Sequence, residues 1–438
     1  MSKLASEHGM LKSTVPVKPR SFEALGLSKS LVVALNSMAI RRPSQIQIAC
    51  IPQILKGRDC IGGARTGSGK TIAFAAPILE KLSEDPFGVF ALVLTPTREL
   101  ALQISEQFAA LGASMNLKQA VIVGGMDMVT QGLALQKRPH VVVATPGRLA
   151  DHISSSGEEA IAGLRRIKFL VLDEADRLLT PGFAEDLEVC MGVMTKAKNR
   201  QTLLFSATVS QSVMQLKESS ENDIFIHEVG SNSISIPDTL GQTYLFIPTH
   251  VREAYLVSLL TLPLNEKKSA IVFVNRATTA EVLKQVLRIM DVRVTSLHSQ
   301  LSQRERMDSL GRFRAEAARV LVATDVASRG LDIPVVQMVV NFDIPADPDD
   351  YIHRVGRTAR AGRAGESISF VTEHDIVRIK AIEERVGKVM TKYEHVTESM
   401  VIRHSLQQTS NAKREALMDW ERENSGSSRR KRKIEQRR

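Results

Sequence analysis

Short apolar segments alternate with longer amphipathic segments along most of the chain, from about residue 58 onward. The short segments are nearly continuous apolar runs, which is typical of strands buried on both faces of a parallel sheet. The longer segments have helical spacing, and residues 98–112 end at Gly112, a residue favoured just after a helix. This first series predicts strands at 59–63, 90–95, 120–124, 140–145, 168–173 and 202–207.

A second series of the same kind follows an interruption at residues 229–242, which are rich in Gly, Ser, Asn and Pro and are predicted to be a flexible linker. Alternating strands and helices are typical of doubly wound α/β domains with parallel sheets. The sequence therefore predicts two α/β domains, at 21–228 and 243–390. The second contains predicted strands at 243–247, 269–275, 293–298, 319–325, 336–343 and 366–371.

The pattern is weak at both ends of the chain. We expect residues 1–20 to be flexible and residues 391–438 to form a C-terminal extension. Within that extension, residues 413–422 are compatible with a helix that carries the only tryptophan, Trp420. The final residues, SGSSRRKRKIEQRR, are predicted to be a solvated, disordered tail.

Composition excludes several classes of protein. Hydrophobic residues make up 43% and charged residues 24% of the chain, which is ordinary for a globular protein. No apolar run approaches the roughly 18 residues of a transmembrane helix, and the N-terminus lacks the apolar core of a signal peptide. The three cysteines have no CxxC spacing, which argues against a disulfide framework or a zinc site; they are Cys50, Cys60 and Cys190. These features predict a protein of the cytosol or nucleus with no membrane partner.

The net charge of +10 is unevenly distributed. The last ten residues contain seven Lys or Arg and one Glu, so most of the excess positive charge lies in the tail. The predicted domains are therefore only mildly basic, and any nucleic-acid surface on them must be a local patch.

The segment ARTGSGKT at 64–71 follows an apolar strand and precedes a helical pattern, the context that a phosphate-binding P-loop requires. Gly67 and Gly69 allow the backbone to approach a phosphate, and the amides of the helix N-terminus point at the anion. Lys70 is suited to the β- and γ-phosphates, and the Thr71 hydroxyl to Mg²⁺. The first position of the strict pattern is Ala64 rather than Gly. The predicted nucleotide-binding residues of the loop are Ala64, Arg65, Thr66, Gly67, Ser68, Gly69, Lys70 and Thr71.

The sequence DEAD at 173–176 follows a buried strand directly. Ligands of α/β sheets bind at the carboxyl ends of strands, so carboxylates here are well placed for catalysis. Asp173 suits Mg²⁺ held through water, and Glu174 suits the orientation or deprotonation of an attacking water. Together with the P-loop, this pair predicts a nucleotide hydrolase.

With the P-loop, DEAD and SAT (206–208) in order, the chain resembles the DEAD-box RNA helicases from about Phe22 to residue 372. The resemblance implies two RecA-like domains, ATP and Mg²⁺ as cofactors, and RNA as the partner. It also implies that Ser206 and Thr208 couple the DEAD carboxylates to domain 2.

The family's adenine-reading Q motif matches residues 39–47, with Phe22 stacking on the base and Gln47 forming hydrogen bonds with its edge. Ala39 and Ser44 stand where the family usually has Gly and Thr.

The resemblance assigns RNA contacts to loops that follow predicted strands in both domains. In domain 1 these are PTREL (96–100), Gly124-Gly125 and TPGR (145–148), and in domain 2 the segments IVFVNR (271–276), HSQLSQRER (298–306) and ATDVASRGLD (323–332). Ser299 and Arg276 depart from the usual Gly and Thr. The residues implied to contact RNA are Arg98, Gly125, Thr145, Arg148, Asn275, Arg306 and Thr324.

Domain 2 also carries residues that the resemblance directs toward ATP. In YIHRVGRTAR (351–360), Arg357 and Arg360 would meet the γ-phosphate across the cleft and His353 would bond to the DEAD and SAT segments. Ala359 replaces a usual Gly. Gly330 and Asp332 would contact the ribose side of ATP.

These assignments predict an ATP-dependent RNA helicase whose ATP hydrolysis requires domain closure on RNA, with little sequence preference. An ATP-gated RNA clamp that does not separate strands, a DNA helicase and an inactive scaffold are the alternatives. Among the subfamilies, the chain most resembles the members that act in small-subunit ribosome assembly. This resemblance and the basic tail imply a monomer of the nucleus or nucleolus that acts in rRNA processing on a pre-ribosomal particle, with a protein cofactor that stimulates hydrolysis. The tail segment 429–433 is interpreted as a nuclear-import or RNA-anchoring segment, or alternatively as a solubilising end.

Overall fold

The structure is a computed structural model. It describes residues 21–64, 67–194, 196–207, 223–228, 239–325, 333–359 and 364–435, and for residues 160, 198, 421 and 423–435 it describes the backbone alone.

Domain 1 is built on a seven-stranded parallel sheet. The strands are β1 Asp59–Gly63, β2 Ala91–Leu94, β3 Gln119–Ile122, β4 Val141–Ala144, β5 Phe169–Asp173, β6 Gln201–Ser206 and β7 Ile224–Glu228. Their order across the sheet is β3-β4-β2-β5-β6-β1-β7. β1 lies between β6 and β7, and Ile61 of β1 is opposite Leu204 and Ile226. Because all strands are parallel, their carboxyl ends lie at one edge of the sheet.

Domain 2 repeats this topology strand for strand. Its strands are β8 Leu240–Phe246, β9 Ala270–Val274, β10 Val294–Leu297, β11 Val320–Thr324, β12 Met338–Asn341, β13 Gly365–Val371 and β14 Thr391–Lys392. Their order across the sheet is β10-β11-β9-β12-β13-β8-β14. β8 occupies the place of β1, and β14 that of β7.

Helices cover both faces of each sheet. In domain 1 the α-helices are Lys29–Ser37, Gln45–Leu55, Lys70–Glu84, Arg98–Leu111, Met128–Gln136, Pro146–Ser155, Glu158–Ile161, Ala175–Leu178 and Ala184–Gly192. In domain 2 they are Arg252–Thr261, Ala277–Ile289, Gln303–Arg314, Pro348–Val355, Ile376–Val386, Glu398–His404 and Leu406–Glu435. Short 3₁₀ helices are Glu23–Leu25, Ala113–Met115, Ala162–Arg166, Pro181–Phe183, Ala197–Asn199, Thr249–Val251 and Glu373–Asp375. None of the helices that the structure describes has both the length and the apolar character needed to cross a lipid bilayer.

Each domain has its own hydrophobic cores. In domain 1, Phe74, Phe108 and Phe205 belong to one core, and Leu92, Leu170 and Leu204 belong to the other. In domain 2, Phe342 and Phe370 lie in one core, Phe273 lies in a second, and Tyr351 and Ile382 lie in a third. Among the described residues no core cluster combines residues of both domains. The nearly continuous apolar strands predicted from the sequence are therefore confirmed as doubly covered strands.

The structure differs from the sequence prediction at the domain boundaries. β8 starts at Leu240, inside the predicted linker 229–242, of which residues 229–238 lie outside the described residues. β7 was not predicted, because its sequence IFIHE mixes apolar and polar positions at the edge of the sheet.

The boundary predicted at residue 390 is wrong, because the C-terminal extension completes domain 2. Thr391 and Lys392 pair with β8 as the last strand of its sheet. Tyr393, Val401 and Ala412 are buried in the core of domain 2. The tail was also predicted to be disordered, whereas the backbone of Leu406–Glu435 forms one helix. The predicted flexible residues 1–20 lie outside the described residues.

Candidate nucleotide and RNA site

Three adjacent strands of domain 1 bring the predicted catalytic segments together. β5, β6 and β1 are neighbours in the sheet, and they are followed by the DEAD, SAT and P-loop segments respectively. Because the strands are parallel, their carboxyl ends lie at the same edge. Ser206, the last residue of β6, is buried between the other two segments, and its carbonyl accepts a hydrogen bond from the Ala64 amide at 3.0 Å.

The P-loop backbone has the shape that its glycines suggested. Gly67 and Gly69 have φ values of +82° and +91°, in the left-handed region that favours glycine. A Cβ on Gly69 would overlap the amide nitrogen of Gln47. Gly69 also caps the helix Lys70–Glu84, so that the first amides of this helix face the loop. Ala64, the departure from the strict pattern, is a buried residue that requires no positive φ.

Gln47 binds to the P-loop itself. Its Nε2 donates to the Gly69 carbonyl at 3.0 Å, and its Oε1 accepts from the Ser44 amide at 2.9 Å. Only 3% of the residue is exposed, so the amide is fixed in place. One N–H and one oxygen lone pair of the amide remain for a further partner.

The charged groups at this edge influence one another. Lys70 Nζ donates to the Ala64 carbonyl at 2.6 Å. Burial lowers the pKa of Lys70, the carboxylates of Asp173 and Glu174 oppose this, and the charge of Arg357 lowers it further. Burial raises the pKa of Asp173 to about 7, although the nearby Lys70 opposes the change. A phosphate beside Lys70 and a cation beside Asp173 would therefore each favour the charged form of the side chain that it contacts.

The residues at this edge fit a magnesium ion held with a nucleotide. Asp173 is buried at the end of β5, the Thr71 hydroxyl lies in the first turn after the loop, and the Ser68 hydroxyl is buried with no hydrogen-bond partner among the described residues. One carboxylate plus hydroxyl and phosphate oxygens is the type of donor set that Mg²⁺ takes in nucleotide sites.

Glu174 has a strained backbone. Its φ of +53° and ψ of +50° place a residue other than glycine in the left-handed region, at the N-terminus of the short helix Ala175–Leu178. Such strain costs on the order of 1 kcal/mol and is often found at active sites. The Glu174 amide donates to Asp173 Oδ1 at 3.1 Å, which fixes the Asp173 carboxylate against the backbone of Glu174.

The burial of Phe22 conflicts with its predicted role, and the backbone of Ala39 accounts for a departure from the usual Q motif. Phe22 is only 2% exposed and belongs to the core of domain 1, so its ring has no open face on which a base could stack. The predicted stacking role does not fit this burial, which arises because the N-terminal helices fold over the sheet. Ala39 has a φ of +60°, which explains why glycine is usual at that position.

Several predicted residues lie outside the described residues: Arg65, Thr66, Thr208, Gly330, Asp332 and Arg360. Their roles stay predictions.

The predicted RNA loops of domain 1 follow β2, β3 and β4, which are also neighbours. The Arg98 guanidinium lies against Gly124-Gly125, where a Cβ on Gly124 would be 2.6 Å from Arg98 Nη2. The two glycines are therefore needed for the position of Arg98. Thr145 is a buried residue at the start of the helix Pro146–Ser155, and Arg148 Nη1 lies 2.8 Å from the Met128 sulfur.

In domain 2 the predicted RNA loops follow β9, β10 and β11, the topological equivalents of β2, β3 and β4. Thr324 is buried at the end of β11. The side chain of Asn275 is held within the protein: Nδ2 lies 3.4 Å from the Ile344 carbonyl, and Oδ1 accepts from Arg354 at 3.2 Å. These bonds suit a positioning role better than the direct RNA contact predicted for this side chain.

Arg354 connects the motifs of domain 2 and is not among the site residues predicted from the sequence. Only 1% of it is exposed, and it makes bonds of 2.7 and 2.6 Å to both oxygens of Asp325. It also donates to the Asp343 carbonyl at 2.6 Å and lies above the Phe273 ring. An arginine in an arginine-rich segment is ordinarily expected on the surface, and the burial of Arg354 becomes evident only from the fold.

Groups of the two domains meet across the cleft. Arg357 of domain 2 is buried and lies near enough to Lys70 to lower its pKa. Arg177 follows the DEAD sequence, and burial lowers its pKa while the carboxylates of Glu174 and of Asp325 in domain 2 oppose this. His353, on the helix Pro348–Val355, is half-buried in the same motif.

A buried ion pair joins the predicted RNA loops of the two domains. Arg306 Nη2 lies 2.9 Å from Glu99 Oε1, and both residues are buried. Burial lowers the pKa of Arg306, Glu99 opposes this, and the charge of Arg98 lowers it further. The RNA contact of Arg306 stays a prediction; the structure shows that its guanidinium pairs with Glu99 of domain 1. Glu99 was missed, because a glutamate in a helical pattern is ordinarily a solvated residue.

Comparisons with known proteins agree with this arrangement. The chain matches the family model described as DEAD/DEAH box helicase over residues 44–216 and the model described as helicase conserved C-terminal domain over residues 252–362. It is 62% identical over 408 residues to a Yarrowia lipolytica protein named ATP-dependent RNA helicase DBP8, covering 93% of this chain and 92% of that protein. It is 62% identical over 404 residues to a Schizosaccharomyces pombe protein of the same name, covering 91% and 89%.

Solved structures with RNA are similar in fold. Mss116p bound to single-stranded RNA and AMP-PNP has a TM-score of 0.80 and 29% identity, over 90% of this chain and 83% of that chain. Saccharomyces cerevisiae Dbp5 bound to RNA and ADP BeF3 has a TM-score of 0.74 and 32% identity, over 85% and 95%. Dbp5 bound to Gle1 and IP6 has a TM-score of 0.66 and 30% identity, over 90% and 99%.

Proposed function

The chain belongs to the DEAD-box family of ATP-dependent RNA helicases, and from this premise we propose how its two domains divide the work. Domain 1 binds ATP through the P-loop and holds the catalytic carboxylates. Domain 2 supplies the arginines that complete the site. The observation that carries the proposal is the buried ion pair between Glu99 of domain 1 and Arg306 of domain 2, 2.9 Å apart, which brings the predicted motifs of the two domains together.

Each catalytic residue has a role that follows from its place. Lys70 and the amides of the P-loop bind the β- and γ-phosphates, and Gln47 uses its remaining amide groups for the adenine edge. Glu174, held in its strained position, orients and deprotonates the attacking water. Arg357 and Arg360 neutralise the charge that spreads over the transferring phosphoryl oxygens. A magnesium ion held at Asp173 and Thr71 would neutralise phosphate charge when nucleotide is bound.

RNA binding completes the site through closure. The RNA contacts proposed for domain 1 follow β2 and β4, and those proposed for domain 2 follow β10 and β11; they are Arg98, Thr145 and Arg148 on domain 1 and Arg306 and Thr324 on domain 2. A single strand of RNA that contacts both sets requires the domains to be together. ATP also favours closure, because it contacts both domains. By reciprocity, RNA and ATP must each raise the affinity for the other. Contacts to the backbone rather than the bases give little sequence preference.

A strand-displacement assay tests this function. The protein with ATP should separate a short RNA duplex, and Glu174→Gln should abolish separation while retaining ATP binding. Hydrolysis that is stimulated by RNA without strand separation would instead identify an ATP-gated clamp. Equal stimulation by DNA would contradict RNA selectivity.

We further propose that the protein acts as a monomer in the nucleus or nucleolus, in rRNA processing and small-subunit ribosome assembly. The subfamily resemblance and the basic segment 429–433 support this. Crosslinking to cellular RNA should recover pre-ribosomal RNA, and recovery of messenger RNA alone would contradict the proposal. Deletion of residues 429–438 should reduce nuclear localisation; an unchanged nuclear signal would defeat the import role.

A further inference from the structure

A groove of about 710 Å³ lies at the outer edge of the sheet of domain 2, between the helices Ala277–Ile289 and Gln303–Arg314. β10 ends that sheet, and its residues 294–297 are buried. A ligand in the groove therefore meets the side chains of the two helices rather than the main chain of the strand.

The groove begins at a segment that already has a proposed RNA contact. Leu301, Arg304 and Glu305 line one end of it, and they belong to the segment 298–306 that contains Arg306. Both helices follow strands of a parallel sheet, so both begin at the carboxyl edge, where the RNA loops lie, and run back toward the amino edge. An RNA strand that passes Arg306 thus reaches the groove around the first turn of one helix.

The two helices present unpaired positive charge to the groove. Arg304 and Arg312 are eight residues apart on one helix, so they follow the groove for about 12 Å. Lys284, on the other helix, also lines the groove and pairs with Glu281 at 2.6 Å. The exposed arginines whose guanidinium groups have no ion pair or hydrogen bond among the described residues are Arg288, Arg304 and Arg312.

Three carboxylates also line the groove, and they reduce its positive charge without cancelling it. Glu305 caps its own helix, where it accepts from the Ser302 hydroxyl at 2.6 Å and from the Ser302 amide at 2.8 Å. Asp291 and Asp308 each lie in sequence between two of the basic residues, so neither helix has an acidic stretch. With five basic and three acidic side chains, the groove attracts a polyanion.

Of the two common polyanions, RNA suits this groove better than an acidic protein segment. An extended peptide would gain no main-chain hydrogen bonds here, because β10 is buried. RNA needs none, since its phosphates bind exposed arginines through charge and side-chain hydrogen bonds alone. RNA is also the polyanion that the adjoining segment 298–306 is proposed to contact.

We propose that this groove is an exit path for RNA. The strand held between the domains continues around the first turn of the helix Gln303–Arg314 and lies between the two helices, with its phosphates on Arg288, Arg304 and Arg312. This inference rests on the proposed function and adds a second contact outside the cleft. Because the whole groove belongs to domain 2, the RNA stays attached there when the domains open.

The experiment measures how RNA affinity depends on strand length, with the full chain and a non-hydrolysable ATP analogue. Labelled oligouridines of about 6, 12 and 20 nucleotides are compared by fluorescence anisotropy at several salt concentrations. Arg288→Glu/Arg304→Glu/Arg312→Glu should bind the shortest strand within about threefold of the wild type and the longest at least about tenfold more weakly. For the longest strand, the slope of log affinity against log salt should fall by about 2, because about three phosphate contacts are lost.

Two control variants separate the groove from general charge effects. Lys137→Glu/Arg166→Glu/Lys168→Glu reverses three exposed charges on domain 1 and should leave the binding of every strand unchanged. Arg288→Lys/Arg304→Lys/Arg312→Lys keeps the charge of the groove and should bind the longest strand within about threefold of the wild type. The statistical advantage of a longer strand applies equally to all of these proteins, and thermal unfolding verifies the fold of each.

The outcomes distinguish this inference from the proposed function. Equal weakening at every length, or no weakening at any length, would overturn the inference alone. Failure of the wild type to bind any of the strands would overturn the proposed function as well. If a labelled polyglutamate peptide binds the wild type and not the Glu triple variant, while the longest RNA binds both alike, the groove is a protein surface and the inference is wrong.

Discussion

The two domains share one strand order, yet only one of them can hold a nucleotide. In domain 1 the helix after β1 begins with Lys70, and Asp173 ends β5. In domain 2 the helix after the equivalent strand β8 begins with Arg252, and Asp343 follows the equivalent strand β12. Arg252 Nη1 bonds directly to Asp343 Oδ1 at 2.8 Å and its guanidinium lies 4.6 Å from the centre of the Phe342 ring.

The same pair of positions therefore has two uses. Where a glycine-rich loop separates lysine and aspartate, a phosphate and a cation can bind between them. Where the loop lacks glycine and arginine replaces lysine, the two side chains bind each other. In the proposed function, domain 2 contributes the RNA loops after β9, β10 and β11 and the arginines that complete the ATP site of domain 1.

The largest effects are expected from the two halves of the catalytic set. Glu174→Gln should lower RNA-stimulated ATP turnover at least about 100-fold, because the attacking water loses its base. Arg357→Ala and Arg360→Ala should each lower it about 1000-fold, because phosphoryl charge is no longer neutralised. Steady-state hydrolysis and binding of a fluorescent ATP analogue check this, with binding expected to remain. Normal ATP turnover in all three variants would contradict a catalytic site that is formed by residues of both domains.

Matched substitutions at the equivalent positions should separate the two uses. Lys70→Met should weaken ATP binding at least about tenfold with little change in thermal stability. Arg252→Met should leave the KM for ATP unchanged and destabilise the protein by about 1–3 kcal/mol, because Asp343 loses a partly buried partner. Calorimetric unfolding together with ATP titration measures both. A loss of ATP affinity in Arg252→Met would mean that domain 2 retains a nucleotide role.

A smaller, pH-dependent effect is expected in domain 2. Burial opposes ionisation of Glu281, but hydrogen bonds from His298, Lys284 and Ser296 outweigh it and lower its pKa to about 2. The ionised form therefore stabilises the fold above the ordinary pKa of 4.5, and this stabilisation is lost as the pH falls from about 5 toward 2. Urea unfolding at pH 6 and pH 3 should show a smaller pH difference for Glu281→Gln. An unchanged difference would show that Glu281 does not contribute.

The smallest effects are expected at two alanines with positive φ. Ala39 and Ala359 have φ values of +60° and +53°, where glycine is less strained, but glycine also gains freedom in the unfolded chain. Ala39→Gly and Ala359→Gly should therefore stabilise by no more than about 1 kcal/mol. Ala34→Gly, within the helix Lys29–Ser37, is the control and should destabilise by about 1 kcal/mol. Destabilisation by all three would contradict this account of the strain.

The sequence predicted the buried strands well, because a doubly covered strand must be a nearly continuous apolar run. The P-loop was also predictable, because Gly67 and Gly69 adopt positive φ values that other residues avoid and the loop therefore needs glycine at both positions. Short edge strands such as β14 have too few residues to give a pattern, so the end of domain 2 was placed too early.

Contacts between distant segments were harder to predict. Glu99, Arg306 and Arg354 are charged residues whose burial depends on partners from other loops or from the other domain. Phe22 shows the opposite failure, since the role implied by resemblance conflicts with its place in the core.

The central claim is that hydrolysis requires both domains to close on RNA. Since domain 1 has its own core on each face of its sheet, residues 1–238 should fold alone and bind ATP. ATP turnover by this fragment and by the whole chain, each with single-stranded RNA, tests the claim directly. We predict turnover at least about 100-fold faster in the whole chain. Equal turnover by a fragment that binds ATP normally would contradict it.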